Sequence, residues 1–146
     1  MRRIFLFFSF GAILAGMAPV CLGGSAKEFL TAREIEWIQD AQEIDKRVKF
    51  YLEAAALRLK KAEDRLYGKE TEEGDPFEFF SVEEMLDGYC RIFESVMINL
   101  DAAFQQDGRD REKVRSALKN LKKTTERTAK ELEILKKIAE GSFKEE

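Results

Sequence analysis

The chain has 146 residues, 45% hydrophobic and 36% charged, with a formal net charge of −3, two prolines, two cysteines and no histidine. That length fits one domain, the apolar content argues against disorder, and the scarcity of proline and glycine argues against a turn-rich sandwich or barrel. Without histidine there is no imidazole general base, no Ser-His-Asp or Cys-His nucleophile, no imidazole-ligated haem and no His-containing zinc site.

Residues 1–26 read as a secretory signal. Arg2 and Arg3 open it, Ile4 to Ala18 carry no charge, and Gly24 and Ala26 are the small residues wanted before a cut at Lys27. An uncleaved anchor is the alternative, since Ile4 to Leu22 is just long enough to span a bilayer. Pro19 and the glycines near its end suit a cleavage region better. Lipid attachment at Cys21 is a third route to the membrane, but Ala18-Pro19-Val20 matches a lipobox poorly. Removing the leader makes Cys90 the only thiol, so no internal disulfide is possible. Beside Tyr89 and Phe93, that thiol is expected to be buried, with a link between chains as the alternative.

Residues 27–146 read as a single helical-bundle domain of three helices. Thr31-Ala32-Arg33-Glu34 is a capping box, with Leu30 and Ile35 as its hydrophobic staple. Ile38, Ala41, Val48, Leu52, Ala55, Leu59, Ala62 and Leu66 then recur mostly at steps of three and four, and Gly68 stands where a left-handed cap belongs. The first helix is therefore expected over 32–67, about 54 Å long and overhanging one end of the bundle. Ser81-Val82-Glu83-Glu84 is a second capping box, stapled by Phe80 and Met85. Its helix, 82–107, presents Leu86, Tyr89, Phe93, Val96, Leu100 and Phe104. After Asp107-Gly108, Asp110 can cap a third helix over 111–140, ending before Gly141. Val114, Leu118, Leu121, Thr125, Thr128, Leu132, Leu135 and Ala139 give it a heptad seam with a small polar middle. Short connections favour an all-α, up-down-up, antiparallel arrangement with coiled-coil-like packing.

Charge is unevenly placed. Residues 27–108 hold 11 bases and 20 acids, whereas residues 109–146 hold 12 bases and 8 acids. Solvated faces with internal complementarity account for this. Nucleic acid is not an expected partner, because glutamates interrupt the basic run and no aromatic lies between Phe104 and Phe143 to stack a base. Eight acids crowd residues 70–87, among them Glu72, Glu73 and Asp75, without the frame of an EF-hand loop. A solvated turn leading into a helix N-terminus explains most of them. Phe77, Phe79 and Phe80 interleave with these acids and are read either as a plug for the open end of the bundle or as an exposed docking loop. The plug is the better reading, since three phenylalanines in water invite aggregation.

Asp45 and Asp101 fall on or beside apolar stripes and are candidate buried carboxylates, with Arg47, Arg58 or Arg91 as partners. No glycine-rich phosphate loop, Cys-x-x-Cys pair or nucleophile elbow is present, so no enzyme, cofactor or metal site is expected. The frame Glu34-x-x-x-Ile38-Gln39-x-Ala41-Gln42-x-Ile44-Asp45-x-Arg47 resembles the opening of a group of uncharacterised exported bacterial helical proteins. The resemblance covers about fifteen residues and implies an envelope or secreted setting with no known activity. The sequence thus points to a non-catalytic exported bundle that binds an envelope or extracellular protein, or itself. Its candidate surface is the acidic aromatic loop together with the N-terminal end of the first helix. A cation or small-ligand binder using residues 70–87 is the alternative.

Overall fold

The computed structural model describes residues 28–105 and 111–142. They form four helices and, among the described residues, no strand: α1 (Ala32–Asp40), α2 (Ile44–Leu66), α3 (Val82–Gln105) and α4 (Arg111–Ser142). The segment 1–26 with Cys21, the Asp107-Gly108 turn and the expected cap Asp110 lie outside the described residues.

Both capping boxes form. Thr31 Oγ1 accepts from the Glu34 N–H while Glu34 Oε2 accepts from the Thr31 N–H, and Ser81 and Glu84 repeat the exchange at 3.1 and 2.7 Å. Gly68, at φ +71°, ends α2 as expected. The Lys69 and Gly68 N–H groups reach back to the carbonyls of Asp64 and Arg65, each at 2.9 Å, which satisfies the last turn.

The single first helix expected over 32–67 is two helices. Residues 41–43 contain neither proline nor glycine, so the break is not a local necessity. Distant groups hold it open. Arg47 donates from Nε and Nη2 to the Ala41 carbonyl at 3.2 and 2.9 Å, and from Nη1 to Asn99 of α3 at 3.4 Å. Glu43 stands at the N-cap of α2 without a side-chain cap bond, its carboxylate being shared between Lys113 of α4 and Lys46. Hydrogen bonds from Lys113 and Lys46, and then their charges, draw the Glu43 carboxyl down to about 2.

The break reverses the chain. In an unbroken helix Glu34 and Arg58 would stand about 36 Å apart; here they are ion-paired. So α1 folds back along α2 and, among the described residues, packs on no other helix. The three long helices keep the expected up-down-up order. Lys113 pairs with Glu43 at the start of α2, and Leu135 packs with Ala55 and Leu59 further along, so α4 runs parallel to α2. Leu100 packs with Ile44 and Val48 while Tyr89 packs with Leu59, so α3 runs antiparallel to both.

α2 is the spine of the core. Val48, Ala55, Ala62, Met85, Ile92, Val96, Ala117 and Thr128 are fully enclosed. Thr128 is the polar middle of the expected seam. The Tyr89 hydroxyl donates to its Oγ1 at 2.8 Å, and that oxygen donates onward to the Thr124 carbonyl at 3.0 Å. Burial raises the Tyr89 phenol above its ordinary 10, against the opposing pull of that bond. α4 continues through Gly141 to Ser142, past its expected end. No helix among the described residues is long and apolar enough to cross a membrane.

Three expected burials are overturned. Asp45 is only half-buried, one residue from the buried Ile44, and its carboxylate accepts from the Lys46 N–H. Asp101 is exposed beside the buried Leu100. Cys90 is exposed although Tyr89 before it and Ile92 after it are buried. Adjacent helical residues point about 100° apart, so an apolar sequence neighbour says little about burial. Native Cys90 should therefore alkylate completely without denaturant, as read by peptide mapping; labelling only after unfolding would contradict this placement.

Candidate functional site

The fold-back brings together the two regions singled out in the sequence. Residues between Glu28 and Trp37, Leu57 and Lys61 of α2, and Asp75, Pro76, Phe77 and Phe80 of the loop line one open groove of about 930 Å³. Its apolar surface comes from Leu30, Trp37, Leu57, Pro76, Phe77 and Phe80.

Arg58 is the clasp beneath that groove. The residue is 2% exposed, yet every one of its five N–H donors is used. Nη1 and Nη2 take both oxygens of Glu34, the second at 2.6 Å, and Nη1 also donates to the Ala54 carbonyl at 2.9 Å. Nε and Nη2 donate to the Phe29 carbonyl at 3.2 and 2.8 Å. The guanidinium lies 4.7 Å from the Phe77 ring centroid, and Gly88 of α3 packs against its stem. One side chain thus ties the N-terminal lead, α1, α2, the loop and α3 together. Burial pushes the Glu34 carboxyl up, but the Arg58 hydrogen bonds, the Thr31 N–H and the Arg58 charge outweigh it, leaving it below its ordinary 4.5.

Basic side chains of α2 hold the loop. Lys61 pairs with Asp75, and Arg65 Nη2 donates to the carbonyls of Phe77 and Glu78 at 2.7 and 2.6 Å. Asp75 Oδ1 accepts from the Phe77 N–H at 2.8 Å, and Gly74, at φ +82°, completes the turn from Glu72 to Asp75. Burial raises the Asp75 carboxyl, yet the Lys61 bond and the Phe77 N–H bring it below its ordinary 3.8.

The three phenylalanines divide. Phe77 is 4% exposed and packs with Ala62 and Met85; Phe80 meets it edge-on at 5.6 Å and is half-buried. These two form the plug. Phe79 is 80% exposed. Glu72 and Glu73 are exposed on the turn, so the acidic rim and the apolar groove adjoin. Among the described residues, no three Cys, Asp or Glu side chains gather closely enough to hold a metal ion.

Sequence reasoning undervalued four lining or supporting groups. Trp37 meets Phe50 at 6.0 Å, tilted, and lies under Arg33 at 4.7 Å while remaining partly exposed at the groove. Leu57, Glu34 and Arg58 were not assigned to a site, and Arg58 partners Glu34 rather than Asp45 or Asp101. Arg58 stands three residues after Ala55 and four before Ala62, both on the apolar stripe, and that helical spacing was the available signal. Arg91, another expected partner, pairs with Asp87 at 3.8 Å and covers the Phe29 ring. No family model, no curated protein and no solved structure matches this chain.

Proposed function

We propose that this chain is a non-catalytic, exported helical module whose groove receives an apolar segment of an envelope or extracellular protein, flanked in that partner by lysine or arginine. The observation that carries the reading is the groove itself: a preformed concave surface with apolar lining and a few polar groups at its edge. Its bases are already engaged, Lys61 by Asp75 and Arg33 by the face of Trp37. Glu28 is exposed at the groove, and Glu72 and Glu73 are exposed in the turn that leads to its Asp75, which favours a basic flank on whatever enters. Export rests on the charge and apolar pattern of residues 1–26. The acidic segment gives less support to a cation binder, because Asp75, Glu78 and Glu84 already accept hydrogen bonds from Lys61 or backbone N–H groups.

Trp37 is the only tryptophan of the chain and lines the groove, so its emission is a direct reporter. Titration with a Leu/Phe peptide flanked by lysines should shift that emission saturably. The same peptide flanked by glutamates should bind about tenfold more weakly or worse. Leu57→Glu, at an exposed position, should abolish the shift while leaving the helical circular dichroism intact. Equal affinity for both peptides, or binding untouched by Leu57→Glu, would dismiss the proposal.

A further inference from the structure

We infer that two copies of this chain associate through the open side of the α3–α4 pair, with each α3 lying against the α4 of the other copy. α2 fills one side of that pair, while the direct contact between α3 and α4 is the slightest of the helix pairs that touch. The opposite side carries apolar residues that none of the described helices covers. Phe104, 79% exposed, is one turn beyond the buried Leu100, and the exposed Met97 is one turn beyond Phe93. On α4 the exposed Leu118 lies between Val114 and Leu121, which both join the core. The apolar stripes therefore continue around both helices from the core into water.

The occupant is specified by charge. Asp87, Glu94 and Asp101 interleave with Cys90, Met97 and Phe104 at steps of three and four along α3. Residues 111–123 of α4 carry Arg111, Lys113, Arg115, Lys119, Lys122 and Lys123 against a single acid, Glu112. A two-fold axis perpendicular to the helices would set acid against acid by stacking α3 on α3. An axis parallel to the helices sets each α3 on the α4 of its copy, antiparallel, with opposite charges facing. It also preserves height. Leu100 shares a core cluster with Val114 and Ala117, so Asp101 of one copy stands level with Arg115 of the other, and Met97 with Leu118. Over the roughly 36 Å length of α3, two helices each roughly 10 Å wide offer about 700 Å² per chain, close to a standard interface. This surface shares no residue with the groove lining, so it stands independently of the proposed function.

The test uses the full chain in sedimentation and native mass measurements across a concentration series. A dimer is expected, loosened by salt and weakened at least tenfold by Phe104→Glu, which lies at an exposed position and leaves the core intact. Asp101→Arg and Arg115→Asp should each weaken self-association when alone. Mixed together, the two variant chains should form a heterodimer, because each reversed charge then meets its opposite across the interface. A chain that stays monomeric throughout overturns the inference, whether or not it floats with anionic vesicles. So does a dimer indifferent to Phe104→Glu, or a mixture that gains nothing over its components.

Discussion

Arg58→Leu is expected to cost about 3–5 kcal/mol of folding stability, measured by urea unfolding. The mechanism is an orphaned charge: the Glu34 carboxylate would remain enclosed at α1 with both strong donors gone. The Phe29 carbonyl would lose its two donors as well. Replacing both partners, as Glu34→Leu with Arg58→Leu, should recover a substantial part, since a well-packed apolar pair needs no compensation. A loss below about 1 kcal/mol in the single variant would mean that water reaches the pair. Acid should act through the same contact. The Glu34 carboxyl is held below its ordinary 4.5, so its contribution is complete above that value. It is lost as pH falls through the folded value, and wild-type stability should decline there more steeply than that of the double variant.

Phe77→Ala should cost about 3–5 kcal/mol, whereas Phe79→Ala should change stability by less than about 0.5 kcal/mol. Phe77 is enclosed against Ala62 and Met85, lies under Arg58 and meets Phe80 edge-on, so its removal opens a cavity where loop, α2 and α3 meet. Phe79 stands in solvent two residues away. Groove binding should fall with Phe77→Ala because Phe77 also lines the groove. Thermal unfolding of the two variants side by side checks the contrast, and comparable losses would overturn the division of the aromatic loop.

Local chemistry made much of this molecule readable. Thr31, Ser81 and Gly68 mark helix ends because caps are formed by residues within one turn of each other. The stripes Val48–Ala55–Ala62 and Tyr89–Val96 lie in the core because burial follows the helical period. The reversal at residues 41–43 was not readable, since the apolar spacing runs straight through Ala41 and Ile44. What maintains it is an encounter between Glu34 and Arg58, 24 residues apart, with Arg47 covering the freed Ala41 carbonyl. The groove inherited that obscurity: its two walls were nominated separately, but only the reversal sets them face to face. Phe77 and Phe79 are chemically identical, and the turn at Asp75 decides which one enters the core. Asp45, Cys90 and Asp101 each neighbour a buried residue, and side chains 100° around a helix do not share its fate.

The attachment of α1 has a mechanical corollary. Because α1 lies along α2 with its first residues beside Arg58, tension applied at Glu28 would peel it away from that end and break the clasp, with the Phe29–Arg91 contact the link through which α3 is loaded. The remaining helices would keep their common interior while the groove lost a wall. Pulling on the N-terminal side would thus open the groove without unfolding the bundle, as a latch opens while its door stays on the hinge.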